Sequence, residues 1–165
     1  MPTPGEREIT TDDDLVDYAQ YTKVPTPYVV EKFFETHKPQ VLFTFDDGPD
    51  PIYTPQILDV LKKYAVSGIF FMVGDQIERF PDVAKKVAEA GHFIGNHTFN
   101  HPNIADVSDA RLRFELNSTQ RFIESTTGRS TILFRAPYDT DADPTLPSQL
   151  KPLYTINTLG YTAVG

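Results

Sequence analysis

Three short runs of this chain hold residue types that can do chemistry together. The first, Thr44-Phe45-Asp46-Asp47-Gly48-Pro49, sets two carboxylates side by side, so that one can bind a cation while the other stays free as a base. Gly48 and Pro49 shape a tight exit that fixes both. The second, His97-Thr98-Phe99-Asn100-His101-Pro102, carries two imidazoles four residues apart, a spacing that reaches one metal from a helical turn or a bent loop. Pro102 disfavours the α conformation at His101, so the bent loop is expected. In the third, Phe134-Arg135-Ala136-Pro137-Tyr138, an arginine follows an apolar segment and needs a carboxylate partner, which one member of the Asp pair can supply.

Taken singly, each run has a plain structural reading: a turn, two locally bonded histidines, an ion pair. Taken together they compose more. Two His and one Asp make a three-ligand site with open positions, suited to a divalent metal that holds water and polarises a carbonyl, and the spare carboxylate can deprotonate that water. The set composes a metal-dependent hydrolase of an amide or ester. Two His and a carboxylate also define the facial triad of non-haem iron oxygenases, but such sites sit on an all-β background and need no second carboxylate beside the ligand.

These runs must be brought to one place by the elements around them. Residues 1 to about 26 hold three prolines, the run Asp12-Asp13-Asp14 and few aliphatics, and read as linker or peripheral structure. From Thr26-Pro27, the spacing of Val30, Phe33, Phe34 and His37 predicts an amphipathic helix ending before Pro39, with His37 structural. A strand over Gln40 to Phe45 precedes the Asp pair, and Thr54-Pro55 opens a helix whose buried face is Ile57, Leu58, Leu61 and Ala65, stopped by Gly68. The continuous apolar run Ile69 to Val73 is the next strand. The alternation repeats with a helix near Pro81 to Ala90 and a strand near Phe93 to Asn96. A helix near Ser108 to Ser125 follows, with Leu112, Leu116, Thr119 and Ile123 inward and Gly128 at its stop. The last elements are a strand at Thr131 to Phe134, a helix around Gln149 to Leu159 and a strand from Tyr161. Such βα alternation predicts a parallel sheet covered by helices, either doubly wound or an arc of a barrel. In both architectures the functional residues gather at the C-terminal ends of strands, where all three runs fall.

With 165 residues the chain is one domain, and a 39% hydrophobic share with 12 Phe and 8 Tyr can fill its core. The net charge is −8, with Lys and Arg scattered, so nucleic acid and anionic membrane are poor partners. Without cysteine there is no disulfide, thiolate metal site or cysteine nucleophile. The longest apolar run, Ile69 to Val73, is too short to span a membrane, and the first residues lack the apolar region of a signal peptide. Asp139, Asp141 and Asp143 alternate as in a calcium loop, but Pro144 stands where Gly is needed and Leu150 where Glu is needed, so they read as a solvated loop. His92, after the helix-ending Gly91, reads as structural.

In order and spacing the three motifs resemble those of the polysaccharide deacetylase family, the NodB-homology domain of carbohydrate esterase family 4, over about Gln40 to Gly165. The resemblance implies an α/β fold, a partial distorted (β/α) barrel of the NodB-homology type, and metal-dependent N-deacetylation of acetylated amino sugars. It also implies roles. Asp46 is the general base, Asp47, His97 and His101 are ligands of zinc or of Co2+, Ni2+ or Mn2+, and Arg135 orients Asp46. Pro137 and Tyr138 line the substrate groove, with the Tyr138 backbone N–H helping to hold the oxyanion. The expected partner is an N-acetylated glycan, with chitin oligomers, poly-N-acetylglucosamine and peptidoglycan all open.

On this reading residues 1–38 are a linker or peripheral segment with a short helix, and 39–165 are the N-terminal two-thirds of the deacetylase domain. Two family features are missing: a later tryptophan-containing Asp motif, since there is no Trp, and a late Leu-x-His motif supplying the general acid, since the last histidine is His101. The expectation is that they lie beyond the sequence; the alternative is a degenerate carbohydrate-binding domain that holds metal without turnover. Arg135 to Gly165 is also similar to deacetylase domains fused to family 2 glycosyltransferases, which implies a membrane-anchored or extracytoplasmic cell-envelope parent.

Overall fold

The computed structural model describes residues 41–140 and 147–165. The helix expected over residues 26–38, with His37, lies outside the described residues, as do the peripheral segment before it and Asp141 and Asp143 of the acidic loop.

Strand and helix alternate through the described residues, save that two helices in succession follow the second strand. In chain order they are β1 (Phe43–Gly48), α1 (Tyr53–Tyr64), β2 (Gly68–Met72), α2 (Gly74–Arg79), α3 (Pro81–Glu89), β3 (Phe93–Asn96), α4 (Asp109–Thr127), β4 (Leu133–Phe134), α5 (Pro147–Thr158) and β5 (Thr162–Ala163). All neighbouring strands pair parallel, in the order β1-β2-β3-β4-β5. A doubly wound sheet reverses its strand order at a switch point. Here the order runs straight through, as in an arc of a (β/α) barrel, which decides between the two expected architectures.

Each element follows from local chemistry. β2 is buried along its whole length, which is why it reads as an unbroken apolar run. α1 begins one residue before Thr54, because the Asp50 carboxylate accepts the N–H groups of Ile52 (2.7 Å) and Tyr53 (2.6 Å). At its far end Ala65 takes φ +52 and closes the helix, its N–H returning to Lys62, so it is exposed instead of lying on the buried face, and Gly68 starts β2 instead of stopping α1. α4 is capped by the Ser108 hydroxyl, which accepts the Arg111 N–H, and it ends at Gly128 with φ +69. α2 has no counterpart in the sequence reading: its six residues are too few to show a period, and only Ile77 among its large side chains is buried.

The core has two parts. Leu61, Phe70, Met72, Ile77, Val87, Ile94 and Ile123 fill one under β1 to β3. Leu112, Leu116, Phe134, Leu153, Ile156 and Tyr161 fill the other between α4, β4 and α5. Gly95 of β3 is required by close approach, since a Cβ there would stand 2.2 Å from the Phe71 ring.

Candidate active site and metal centre

The strand ladder continues one residue past β3 and β4 into the site. His97 N–H bonds to the Met72 carbonyl (3.0 Å) and Arg135 N–H to the Asn96 carbonyl (3.2 Å), so both residues leave the sheet in fixed directions at the same rim. The Asp pair reaches that rim differently from expectation. β1 runs to Gly48 instead of ending at Phe45, and its register against β2 breaks between Phe45 and Gly48. Asp47, at φ +66, sits in that irregularity, which lets two adjacent carboxylates diverge where regular pleating alone would send them to opposite faces.

Asp47 Oδ1 stands 3.3 Å from His97 Nε2 and 3.0 Å from His101 Nε2. The three ligand atoms lie within 4.8 Å of one another. His101 has φ +54, so the segment between the histidines is the bent loop that Pro102 implies. Thr98 also has φ +66, a costly conformation for a β-branched residue. It is held there by a bond from its N–H to the Asn96 carboxamide (3.0 Å) and one from Gly74 N–H to its carbonyl (2.9 Å).

Hydrogen bonding fixes the proton on His97. Its Nδ1 is 2.8 Å from the Arg135 carbonyl, which only accepts, so Nδ1 carries the hydrogen and Nε2 of the neutral ring is a bare lone pair. Burial holds the His97 pKa below the ordinary 6.5, although the Arg135 carbonyl bond and the two aspartates oppose it. At neutral pH a lone pair of His97 and an oxygen of Asp47 therefore face each other at 3.3 Å without a proton between them. Two acceptors at that distance repel; a cation between them turns the repulsion into coordination. A nitrogen–nitrogen–carboxylate donor set that leaves room for water would suit zinc and its first-row neighbours.

Asp46 is outside the trio and meets Arg135 instead. Nη1 of Arg135 lies 3.1 and 3.3 Å from the two Asp46 oxygens and donates to the Thr44 hydroxyl at 2.8 Å, while Nε donates to the Val164 carbonyl at 3.0 Å. The guanidinium lies over the Phe71 ring, 4.4 Å from its centroid. Nε, Nη1 and one face of the arginine are thus committed. Pro137 is buried beneath the rim; Tyr138 is exposed, at φ +62, with its ring 4.8 Å from that of His101. His92 is far from these groups in role: buried, it accepts the Gly68 N–H at Nδ1 (3.3 Å), as a structural histidine would.

The sequence reading assigns no role to three supporting groups. Thr44 and the Val164 carbonyl clamp Arg135; the signal for Thr44 is its position two residues before Asp46, on the same face of β1. Glu115 is wholly buried on α4, with its carboxylate on the backbone between the two histidines. Its signal is a charged residue in the apolar stripe Leu112, Leu116, Thr119.

Residues 34–164 match the family model described as Polysaccharide deacetylase. A peptidoglycan-N-acetylglucosamine deacetylase of Bacillus cereus is 42% identical over 102 residues, 62% of this chain and 37% of that protein. Among solved structures, a peptidoglycan N-acetylglucosamine deacetylase in complex with a naphthyl N-hydroxybenzamide superposes with TM-score 0.66 at 36% identity, covering 74% of this chain and 54% of the other. A family 4 acetyl xylan esterase from Clostridium thermocellum, in complex with a cobalt ion, gives TM-score 0.64 at 30% identity, covering 75% and 56%. The chain thus spans less than two thirds of the length of each.

Proposed function

The chain belongs to the polysaccharide deacetylase family, and on that footing we propose that it hydrolyses N-acetyl groups from an acetylated amino-sugar polymer or oligomer, with a divalent metal as cofactor. The observation that carries the proposal is the convergence on one rim of the Asp47–His97–His101 trio and the separate Asp46–Arg135 pair. Peptidoglycan is the favoured substrate, on the strength of the Bacillus cereus relative.

Asp47 Oδ1, His97 Nε2 and His101 Nε2 would hold the metal. When bound, a divalent ion there supplies an acidified water and polarises the acetyl carbonyl. The remaining work falls to the chain's own groups. Asp46, kept apart from the ligands by its bond to Arg135, takes the proton from the attacking water at a carboxylate oxygen. There being no histidine after His101 to act as acid, it returns that proton to the amine nitrogen as the C–N bond breaks and acetate leaves. Arg135 keeps that carboxylate aimed and, being clamped by Thr44 and Val164, does not swing toward Asp47. The Tyr138 backbone N–H stabilises the oxygen that becomes negative, and its exposed ring forms one wall for the sugar, whereas Pro137, expected in the groove, is buried.

The test is acetate release from N-acetylglucosamine oligomers and from peptidoglycan by the chain loaded with zinc or cobalt, expected at a low rate, since no histidine follows His101 to protonate the leaving amine. Activity should vanish with a chelator and return with metal. Asp46→Asn should bind metal normally and release acetate about 10² to 10⁴ times more slowly. Near-normal release by that variant removes Asp46 from the role of base. Glycan binding that survives chelation with no acetate formed supports instead a carbohydrate-binding domain without turnover.

A further inference from the structure

We propose that Glu115, on α4 and outside the three motifs, is a positioning residue that sets the geometry of the two-histidine loop and with it the affinity of the metal centre; this rests on the metal reading above.

The loop from His97 to His101 must place two imidazole nitrogens on one oxygen, yet it is only a few residues of irregular backbone, with left-handed conformations at Thr98 and at His101 itself. Something outside it has to hold it. Its carbonyls are taken by α2: Gly74 N–H bonds to Thr98 and Asp75 N–H to Phe99, at 2.9 and 3.0 Å. Two of its N–H groups are taken by Glu115. One carboxylate oxygen, Oε2, accepts both Phe99 N–H and Asn100 N–H, each at 2.7 Å. Two successive amides converging on one charged oxygen fix the peptide planes on either side of Phe99, immediately before His101.

The carboxylate is wholly buried, where an uncompensated charge would be strongly disfavoured. It is compensated on its other oxygen. Oε1 accepts Arg111 Nε (2.8 Å) and Nη2 (2.6 Å) from one turn earlier on α4, and Asn100 Nδ2 at 3.3 Å. Glu115 thus receives five donors, three of them from the loop, and ties it to a 19-residue helix whose next turn, Leu116 and Thr119, is core. A residue needed only to fill that core would be apolar. A neutral amide cannot replace it: with one Gln oxygen on the two backbone amides, the NH2 group faces the Arg111 guanidinium, donor against donor.

The test compares zinc dissociation constants, and the absorption spectrum of bound Co2+, for the whole chain and three variants. Glu115→Gln should bind zinc about 10- to 100-fold more weakly, the effect seen when a group that orients metal ligands is removed, and its Co2+ band should change in position or intensity. Thr119→Val is the control for a merely structural role. Thr119 is equally buried one turn on and its hydroxyl bonds the Glu115 carbonyl at 2.9 Å, so the variant should lower Tm yet keep its zinc affinity within twofold and its Co2+ spectrum unchanged. If Glu115→Gln does not fold, Arg111→Met carries the test from the half-exposed end of the same bond, with affinity expected to fall at least threefold. Wild-type affinity in Glu115→Gln, or in Arg111→Met when that variant stands in, overturns the role, and so does equal weakening in Thr119→Val. A wild-type chain that takes up neither zinc nor Co2+ overturns the metal reading itself.

Discussion

Replacing Asp47 by Asn should move metal affinity and metal-free stability in opposite directions. Asn is chosen over Ala because Asp47 has φ +66, which Asn tolerates and a plain L-residue resists by about 1 to 2 kcal/mol. In the trio Asp47 is the only charged ligand and Oδ1 is its contact with both histidines. Zinc binding in four-ligand structural sites is worth about 10 to 16 kcal/mol, so one ligand carries roughly 3 to 4. Converted at 1.4 kcal/mol per decade, complete loss of a ligand corresponds to about two to three orders of magnitude in Kd. The Asn oxygen remains as a weak neutral ligand, which places the expectation at about 100-fold by the same conversion. Without metal the balance reverses. Above about pH 7.5, where His97, its pKa held by burial below the ordinary 6.5, is neutral, Asp47 and His97 Nε2 face each other as two acceptors at 3.3 Å. The Asn amide can donate to that lone pair, a bond worth about 1 kcal/mol and a few degrees in Tm. Competition against a chromophoric chelator gives the first quantity, and thermal unfolding in excess chelator near pH 8 gives the second. If Asp47 were a structural partner of protonated histidines, the variant would melt lower without metal; that outcome, or a Kd within threefold of wild type, refutes the ligand assignment.

Arg135→Lys should leave metal content unchanged and lower kcat about 10- to 100-fold, since one ammonium cannot hold Asp46, Thr44 and the Val164 carbonyl together and the loss is one or two charge-assisted bonds. An unchanged kcat contradicts the orienting role. Stability of the metal-free protein should fall with acid in the range just below pH 6.5, because burial keeps His97 and His92 neutral when folded while the unfolded chain takes up protons at the ordinary value of 6.5. The unfolded state then binds more protons, so stability rises with pH across that window and is flat above it; a Tm that climbs on acidification contradicts the burial argument.

Alternation of apolar runs with amphipathic stretches made most of the sheet and helices readable. β2, β3 and α4 fall within two or three residues of the expected bounds, because their burial is continuous or periodic over enough residues to leave a pattern. What was not readable is what lacks a period. α2 is six residues long, and the helix end at Ala65 depends on a left-handed residue where composition offers no glycine. The extension of β1 through Asp46 and Asp47 is invisible for a related reason: an irregular strand end with two carboxylates and a glycine has the composition of a turn.

The site divides along the same line. Asp46, Asp47, His97, His101 and Arg135 can be nominated from sequence because metal and proton chemistry restricts the residue types, and because three such runs end on strands that one sheet must align. The groups that aim them are chosen by geometry, which sequence does not display. Any side chain can stand at position 164, where Val164 offers Arg135 only its carbonyl, and Phe71 serves the guanidinium with the face of a ring that reads simply as core. Glu115 is the intermediate case. A glutamate inside the stripe Leu112, Leu116, Thr119 breaks the pattern of its helix, and a charged residue at a core position must have a partner strong enough to compensate its burial. Arg111 one turn earlier names part of that partner from sequence. The rest, two backbone amides fifteen and sixteen residues away, could be found only by folding the chain, so supporting residues of this kind are best sought as polar interruptions of otherwise apolar helix faces that pass beneath the motif loops.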